Sequence, residues 1–155
     1  MTDLSAFQQS LGMSFNQPAL LAQALTHSSY ANENPSLAPV SNERLEFLGD
    51  AVLGLAVGER LYRDFLDLSE GQMTKLRAYL VKQETLATVA KGIGLGDYLF
   101  LGKGEEGSGG REKPANLARG LEALIAAIYL DQGPAVAETF IWKLLHPELL
   151  SALMA

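Results

Sequence analysis

The chain has 155 residues, 48% of them apolar, and a formal charge of −6 from 12 basic and 18 acidic side chains. That length suits one domain over residues 1–155 with a real core, and the apolar content excludes a disordered chain. The lack of cysteine excludes disulfides, iron–sulfur clusters and cysteine zinc sites, and the acidic balance counts against a free-standing RNA-binding module.

In chain order, MTDLSAFQQSLG lacks the basic start and long apolar run of a signal peptide. No later stretch has the uninterrupted apolar length of a membrane span, so a cytoplasmic protein with no membrane partner is expected. Leu4 to Leu11 reads as a short helix closed by Gly12, and Pro18 to Thr26 as a second, with Asn16 or Gln17 near its cap. Asn32 to Val40, with Pro35 and Pro39, reads as a loop. A long helix follows from Asn42 to Phe65, with Ser41 as its expected N-cap. Ser69 and Gln72 have capping-box spacing and open a helix to Val81. Glu84 to Lys91 continues as helix until Gly92, Gly94 and Gly96. The glycines 102, 104, 107, 109 and 110 then predict a mobile loop. Asn116 to Leu130 is a strongly apolar helix stopped by Gly133, and Pro134 begins a last helix through Leu144. Tyr98 to Leu101 is too short for a convincing strand, so the fold is expected to be all-α.

The chemistry concentrates in NERLEFLGDAVLGL, Asn42 to Leu55. Glu46 and Asp50 stand four apart and Glu43 three before Glu46, which places all three on one edge of a helix. Beside that edge, Leu45, Phe47, Leu48, Val52 and Leu55 are apolar. Like carboxylates so placed repel, and a hard divalent cation is a natural compensator. Spacing alone favours the plainer reading, a solvated helix face. A further acid, Glu122, lies in the apolar helix NLARGLEALIAAIYLD and needs a partner, either a cation or Arg119 three residues earlier. His27 beside Ser28 and Ser29 reads as helix-end packing rather than a nucleophile pair. His27 and His146 are too few and too scattered for a zinc site.

NERLEFLGDAVL resembles the signature of the ribonuclease III family. The resemblance extends over nearly the whole chain, through LGMSFNQPALLAQALTHSSY, LSEGQMTKLRAYLV, LGKGEEGSGGR and LEALIAAIYLDQG. It implies the family's all-helical endonuclease fold as a symmetric homodimer. It also implies hydrolysis of double-stranded RNA to 5′-phosphate ends with short 3′ overhangs, as in processing of ribosomal RNA precursors. By position, Glu46, Asp50 and Glu122 match the metal-binding carboxylates, for Mg2+ with Mn2+ as a substitute. Glu43 and Glu70 match further acids of the RNA-cutting valley, and Phe47 the aromatic of the dimer contact. Lys75, Arg77 and Lys82, with Arg111 and Lys113 after the glycines, are the candidate RNA contacts.

One position departs. Where the family pattern has an aspartate three residues before the last glutamate, this chain has Arg119. The guanidinium either swings aside from a weakened metal site or pairs bidentately with the acids and takes the metal's place. The remaining acids favour the first, an active but metal-hungry enzyme. The second describes a catalytically impaired module that binds structured or ribosomal RNA. The chain also has no room after Pro147 for the RNA-binding domain that many family members carry, so a separate RNA-binding partner is a further expectation.

Overall fold

The computed structural model describes residues 4–37 and 40–155. Pro39, part of the expected 32–40 loop, lies outside them, as does the start of the N-terminal segment. The helices among the described residues are α1 Ser5–Leu11, α2 Pro18–Ala24, α3 Ser28–Glu33, α4 Glu43–Asp64, α5 Glu70–Val81, α6 Gln83–Gly92, α7 Lys103–Gly107, α8 Pro114–Gln132 and α9 Pro134–Met154. A 3-10 turn spans Leu95–Tyr98. The described residues contain no strand, only an isolated parallel bridge between Thr26 and Phe100.

The centre of the fold is α8. Leu117, Leu121, Leu124, Ile125 and Ile128 are buried on different sides of it, because α4, α6, α9 and α2 all pack around it. Burial on most of its sides explains why this segment reads as strongly apolar, with Arg119 left exposed. By contrast, α4 buries one face (Leu45, Gly49, Leu53, Ala56, Val57 and Leu61) and leaves Phe47, Leu55 and Tyr62 in solvent. The expected surface beside the acids is therefore split: Leu45 is core, Leu48 and Val52 pack at the core's edge, and Phe47 is 83% exposed.

Local signals decide several helix ends. The Ser69 hydroxyl accepts the Gln72 N–H at 3.2 Å, and the Gln72 side-chain oxygen accepts the Ser69 N–H at 2.8 Å, a complete capping box. Gly12 closes α1 in the left-handed conformation at φ 71°. Four expectations need correction. Ser41 does not occupy the N-cap of α4; that position is Asn42, although the Ser41 hydroxyl still accepts the Glu43 N–H at 3.3 Å. Helix α3 overlaps the expected loop, and its N-cap is His27, whose Nδ1 accepts the Ser29 N–H at 3.0 Å. The glycine-rich segment is not all loop, since α7 forms within it. Finally, α9 runs ten residues beyond Leu144, through Pro147. An internal proline costs roughly 3 kcal/mol. Burial of Leu145 and Leu149 on either side of it extends the packed face begun by Phe140, Ile141 and Trp142, and that burial offsets the lost hydrogen bond.

Candidate active site

The acidic edge of α4 faces α8, and a glycine controls how closely the two helices meet. A Cβ at Gly49 would overlap the backbone carbonyl of Glu122. Only a residue without a side chain allows this approach, which puts Glu122 one helix away from the edge carrying Glu43, Glu46 and Asp50. The result is an open cleft of about 460 Å³, lined by Glu43, Glu46, Phe47, Asp50, Arg119 and Glu122, with His27, Ser28 and Asn42 at its wall.

The cleft perturbs its acids. The Glu122 carboxyl is pushed up from 4.5 to about 8, first by burial, then by its hydrogen bond to Asp50 and by the charges of Asp50 and Glu46; Arg119 opposes the shift. At neutral pH Glu122 therefore keeps its proton and donates it to the Asp50 carboxylate. Glu46 is also raised, chiefly by burial and against the pull of Arg119, with Glu43 and Asp50 adding to the rise. A neutral glutamic acid held against two carboxylates marks a place where more negative charge has gathered than the protein alone compensates.

Arg119 takes neither extreme position. Its Nε lies 3.7 Å from Glu46 Oε1, and its side chain is 62% exposed against 29% for Glu46. No bidentate clamp forms on the acids, and no ion pair forms with Glu122 three residues on; the partner is Glu46, on the other helix.

The oxygen-only donor set of Glu46, Asp50 and Glu122 suits a hard divalent cation. Among the described residues no three acids, histidines or cysteines are arranged around a common point to hold an ion. Instead, Asp50 and Glu122 hydrogen-bond to each other while Glu46 faces Arg119. The set fits such an ion in its donor chemistry once Glu122 gives up its proton and the three carboxyls turn toward a common point.

The other expected site residues lie elsewhere. Glu70 is exposed at the first turn of α5 and does not line the cleft. Lys75 is exposed on the same helix, where the guanidinium of Arg77 rests over Gly58 of α4 and the Lys82 ammonium lies 4.9 Å above the Tyr79 ring. Arg111 and Lys113 are engaged internally. Arg111 donates to the carbonyls of Gly96 at 3.0 Å and Leu99 at 2.7 Å and pairs with Glu106. Lys113 donates to Glu105 at 2.9 Å and to Ser108 at 3.1 Å. Both cations tie the glycine-rich segment to the body of the protein, which explains why that segment is folded.

Two residues not singled out from sequence shape the site. Gly49 sits mid-helix, where an isolated glycine costs about 1 kcal/mol relative to alanine, and that cost is itself a signal of close backbone approach. Asn116, buried at the start of α8, accepts through Oδ1 from His27 Nε2 at 3.1 Å and donates through Nδ2 to Glu105 at 2.9 Å and to the Gly110 carbonyl at 3.0 Å. With Nδ1 of His27 already accepting from Ser29, the imidazole proton sits on Nε2 and is donated to Asn116. His27 is thus helix-end packing, as expected, and it links the cleft wall to the glycine-rich segment.

Residues 17–149 match the protein family described as Ribonuclease-III-like. The chain is 54% identical over 149 residues to Ribonuclease 3 of Dehalococcoides mccartyi strain CBDB1, covering 96% of this chain and 63% of that protein. It is 54% identical over 131 residues to Ribonuclease 3 of Streptomyces coelicolor, covering 84% of this chain and 47% of that protein. The chain therefore spans about half to three fifths of these relatives. A solved nuclease domain of ribonuclease III from Campylobacter jejuni, described for flexibility in a region involved in dimer formation, superposes with a TM-score of 0.86 at 42% identity, covering 94% of this chain and 97% of that one. Dicer from Pichia stipitis aligns with a TM-score of 0.63 at 26% identity, over 88% of this chain and 57% of that one. A signature helix bearing the acids, a fold shared with a ribonuclease III nuclease domain and a match over residues 17–149 converge on one assignment: the chain belongs to the ribonuclease III-like family.

Proposed function

We propose that residues 1–155 form the nuclease unit of a divalent-metal-dependent endonuclease. In this reading it hydrolyses double-stranded RNA to 5′-phosphate ends with short 3′ overhangs and acts as a homodimer. The observation that carries this is the cleft itself: Glu46, Asp50 and Glu122 come from two helices to one place, and Glu122 stays protonated to about pH 8. A magnesium or manganese ion held there by those three carboxylates would lower the pKa of a bound water and neutralise charge growing on the phosphate. Glu43, on the same edge, is assigned as an outer acid of the cleft. Glu70, outside the cleft of a single chain, is assigned to the wider valley of the dimer.

Pairing is supported by the exposed apolar line of Phe47, Leu55, Tyr62 and Leu66 on and just after α4. On α4, Phe47, Leu55 and Tyr62 recur eight and seven apart, so they lie along one side of the helix next to the acids. Such a stripe beside a site is the kind of surface that a symmetric contact buries. Isologous pairing through Phe47 would set two clefts across one duplex, one for each strand. The Campylobacter jejuni domain, with its region involved in dimer formation, supports the same assembly.

For the RNA backbone, Lys75 and Arg77 on α5 and Lys82 just after it are assigned as phosphate contacts. Arg111 and Lys113 retain that role only if RNA displaces their internal acceptors. Further affinity is assigned to a separate RNA-binding partner, and the setting to RNA processing, such as that of ribosomal RNA, in the cytoplasm. Among the described residues no helix is long and apolar enough to cross a membrane.

Incubation with long duplex RNA across a magnesium and manganese series tests the proposal. Cleavage that Glu122→Gln abolishes is the expected result. No cutting in any metal, with cutting gained by Arg119→Asp, would leave a non-catalytic module that binds structured RNA. The loose, exposed pose of Arg119 favours the active reading.

A further inference from the structure

We propose that Arg119 is a phosphate-contacting residue of the cleft, its guanidinium exchanging Glu46 for a phosphate oxygen of the bound RNA strand. This rests on the nuclease reading above and adds a binding residue to it.

Among the described residues lining the cleft, Arg119 is the one arginine or lysine. Three other arginines of the chain, all outside the cleft, are committed to structure. Arg111 is held by two carbonyls and Glu106, Arg63 donates to Glu59 at 2.8 Å, and Arg60 reaches Asp64 while lying 4.6 Å over the Trp142 ring. Arg119 has no comparable anchor. Its one ion-pair partner is reached at 3.7 Å through Nε, and among the described residues its guanidinium makes no hydrogen bond. A guanidinium has five N–H donors in a planar fork that matches two phosphate oxygens. Here the fork stands largely in solvent at the mouth of the cleft.

Geometry makes the exchange inexpensive. A pair at that separation with an exposed arginine contributes little, so releasing Glu46 costs little. Glu46 and Arg119 belong to different helices that both line the cleft, and the arginine is the more exposed of the pair, so a strand lying in the cleft can reach it. A guanidinium also needs no metal to bind phosphate. The chain should therefore keep part of its grip on duplex RNA in a chelating buffer, through Arg119.

The test is the affinity of the whole chain for a short labelled RNA duplex, measured by fluorescence anisotropy in EDTA over a salt series. Replacing Arg119 by glutamine is expected to weaken binding roughly three- to tenfold at low salt and to reduce the slope of log affinity against log salt by about 1, the signature of one lost phosphate contact. Arg119→Lys, which keeps the charge, is expected to retain the slope. An unchanged or tighter affinity for Arg119→Gln with an unchanged slope would overturn the inference and leave Arg119 as a bystander or a block. Failure of the unaltered chain to bind the duplex at any salt would overturn the nuclease reading, and the inference with it.

Discussion

Replacing Glu122 by glutamine removes an ionisable group while keeping its shape and its ability to donate to Asp50. Below about pH 4.5 the carboxyl is neutral in both the folded and the unfolded chain, so the substitution should change stability little. Between 4.5 and about 8 the unfolded chain releases this proton while the folded one retains it, so the unaltered protein loses stability as the pH rises. Above about 8 the folded protein carries the charge too, and the full penalty is present. A window of that width sets a ceiling of roughly 5 kcal/mol at 1.36 kcal/mol for each pH unit. The cleft is open and Glu122 only half-buried, so water and relaxation reduce this to about 1–3 kcal/mol. Urea unfolding in EDTA at pH 5, 7 and 9 measures it. The Glu122→Gln chain should match the unaltered one at pH 5 and exceed it by about 1–3 kcal/mol at pH 9. Added magnesium should then stabilise the unaltered chain more than the variant. Parallel pH profiles for the two proteins would refute the picture of a protonated acid held against Asp50.

Other expectations follow from single contacts. Gly49→Ala forces α4 and α8 apart at Glu122, and should cost roughly 3 kcal/mol in thermal or urea unfolding while reducing cleavage even in protein that remains folded. Phe47→Asp should shift light scattering from a dimer to the 16.7 kDa monomer at micromolar concentration, with little loss of stability because the side chain is 83% exposed. Arg119→Asp should bind Mn2+ more tightly by calorimetry, roughly tenfold, since a like charge is replaced by a ligand. Asn116→Ala leaves the Gly110 carbonyl and Glu105 short of a donor; a loss of about 1–3 kcal/mol is expected, read as earlier hydrogen exchange in the glycine-rich segment.

The readable parts of the chain were those carried by local signals. The Ser69–Gln72 capping box, Gly12, Gly133 and the two helix-opening prolines Pro18 and Pro134 act within a few residues, so the ends they set match the structure. Helix α3 was hidden because a histidine, not a usual N-cap residue, accepts the first N–H. The start of α2 carries no cap of its own; Asp131, at the end of α8, accepts the N–H groups of Asn16 at 2.9 Å and Gln17 at 2.8 Å. The run of α9 past Pro147 depends on burial of Leu149, which no local pattern states.

For the site, the spacing of Glu43, Glu46 and Asp50 already placed them on one helix edge, since helical geometry relates residues three and four apart whatever surrounds them. The residues alone also showed that Glu122 lay in an apolar helix and needed a partner. Which partner it has was decided by the packing of α8 on α4 across Gly49, which puts Glu122 against Asp50 and Arg119 against Glu46. Desolvation then did what spacing cannot, holding one acid neutral to about pH 8. Periodicity is a property of one helix, but a shared proton or a loose ion pair is a property of two, and only tertiary contact sets the distance and dielectric between them.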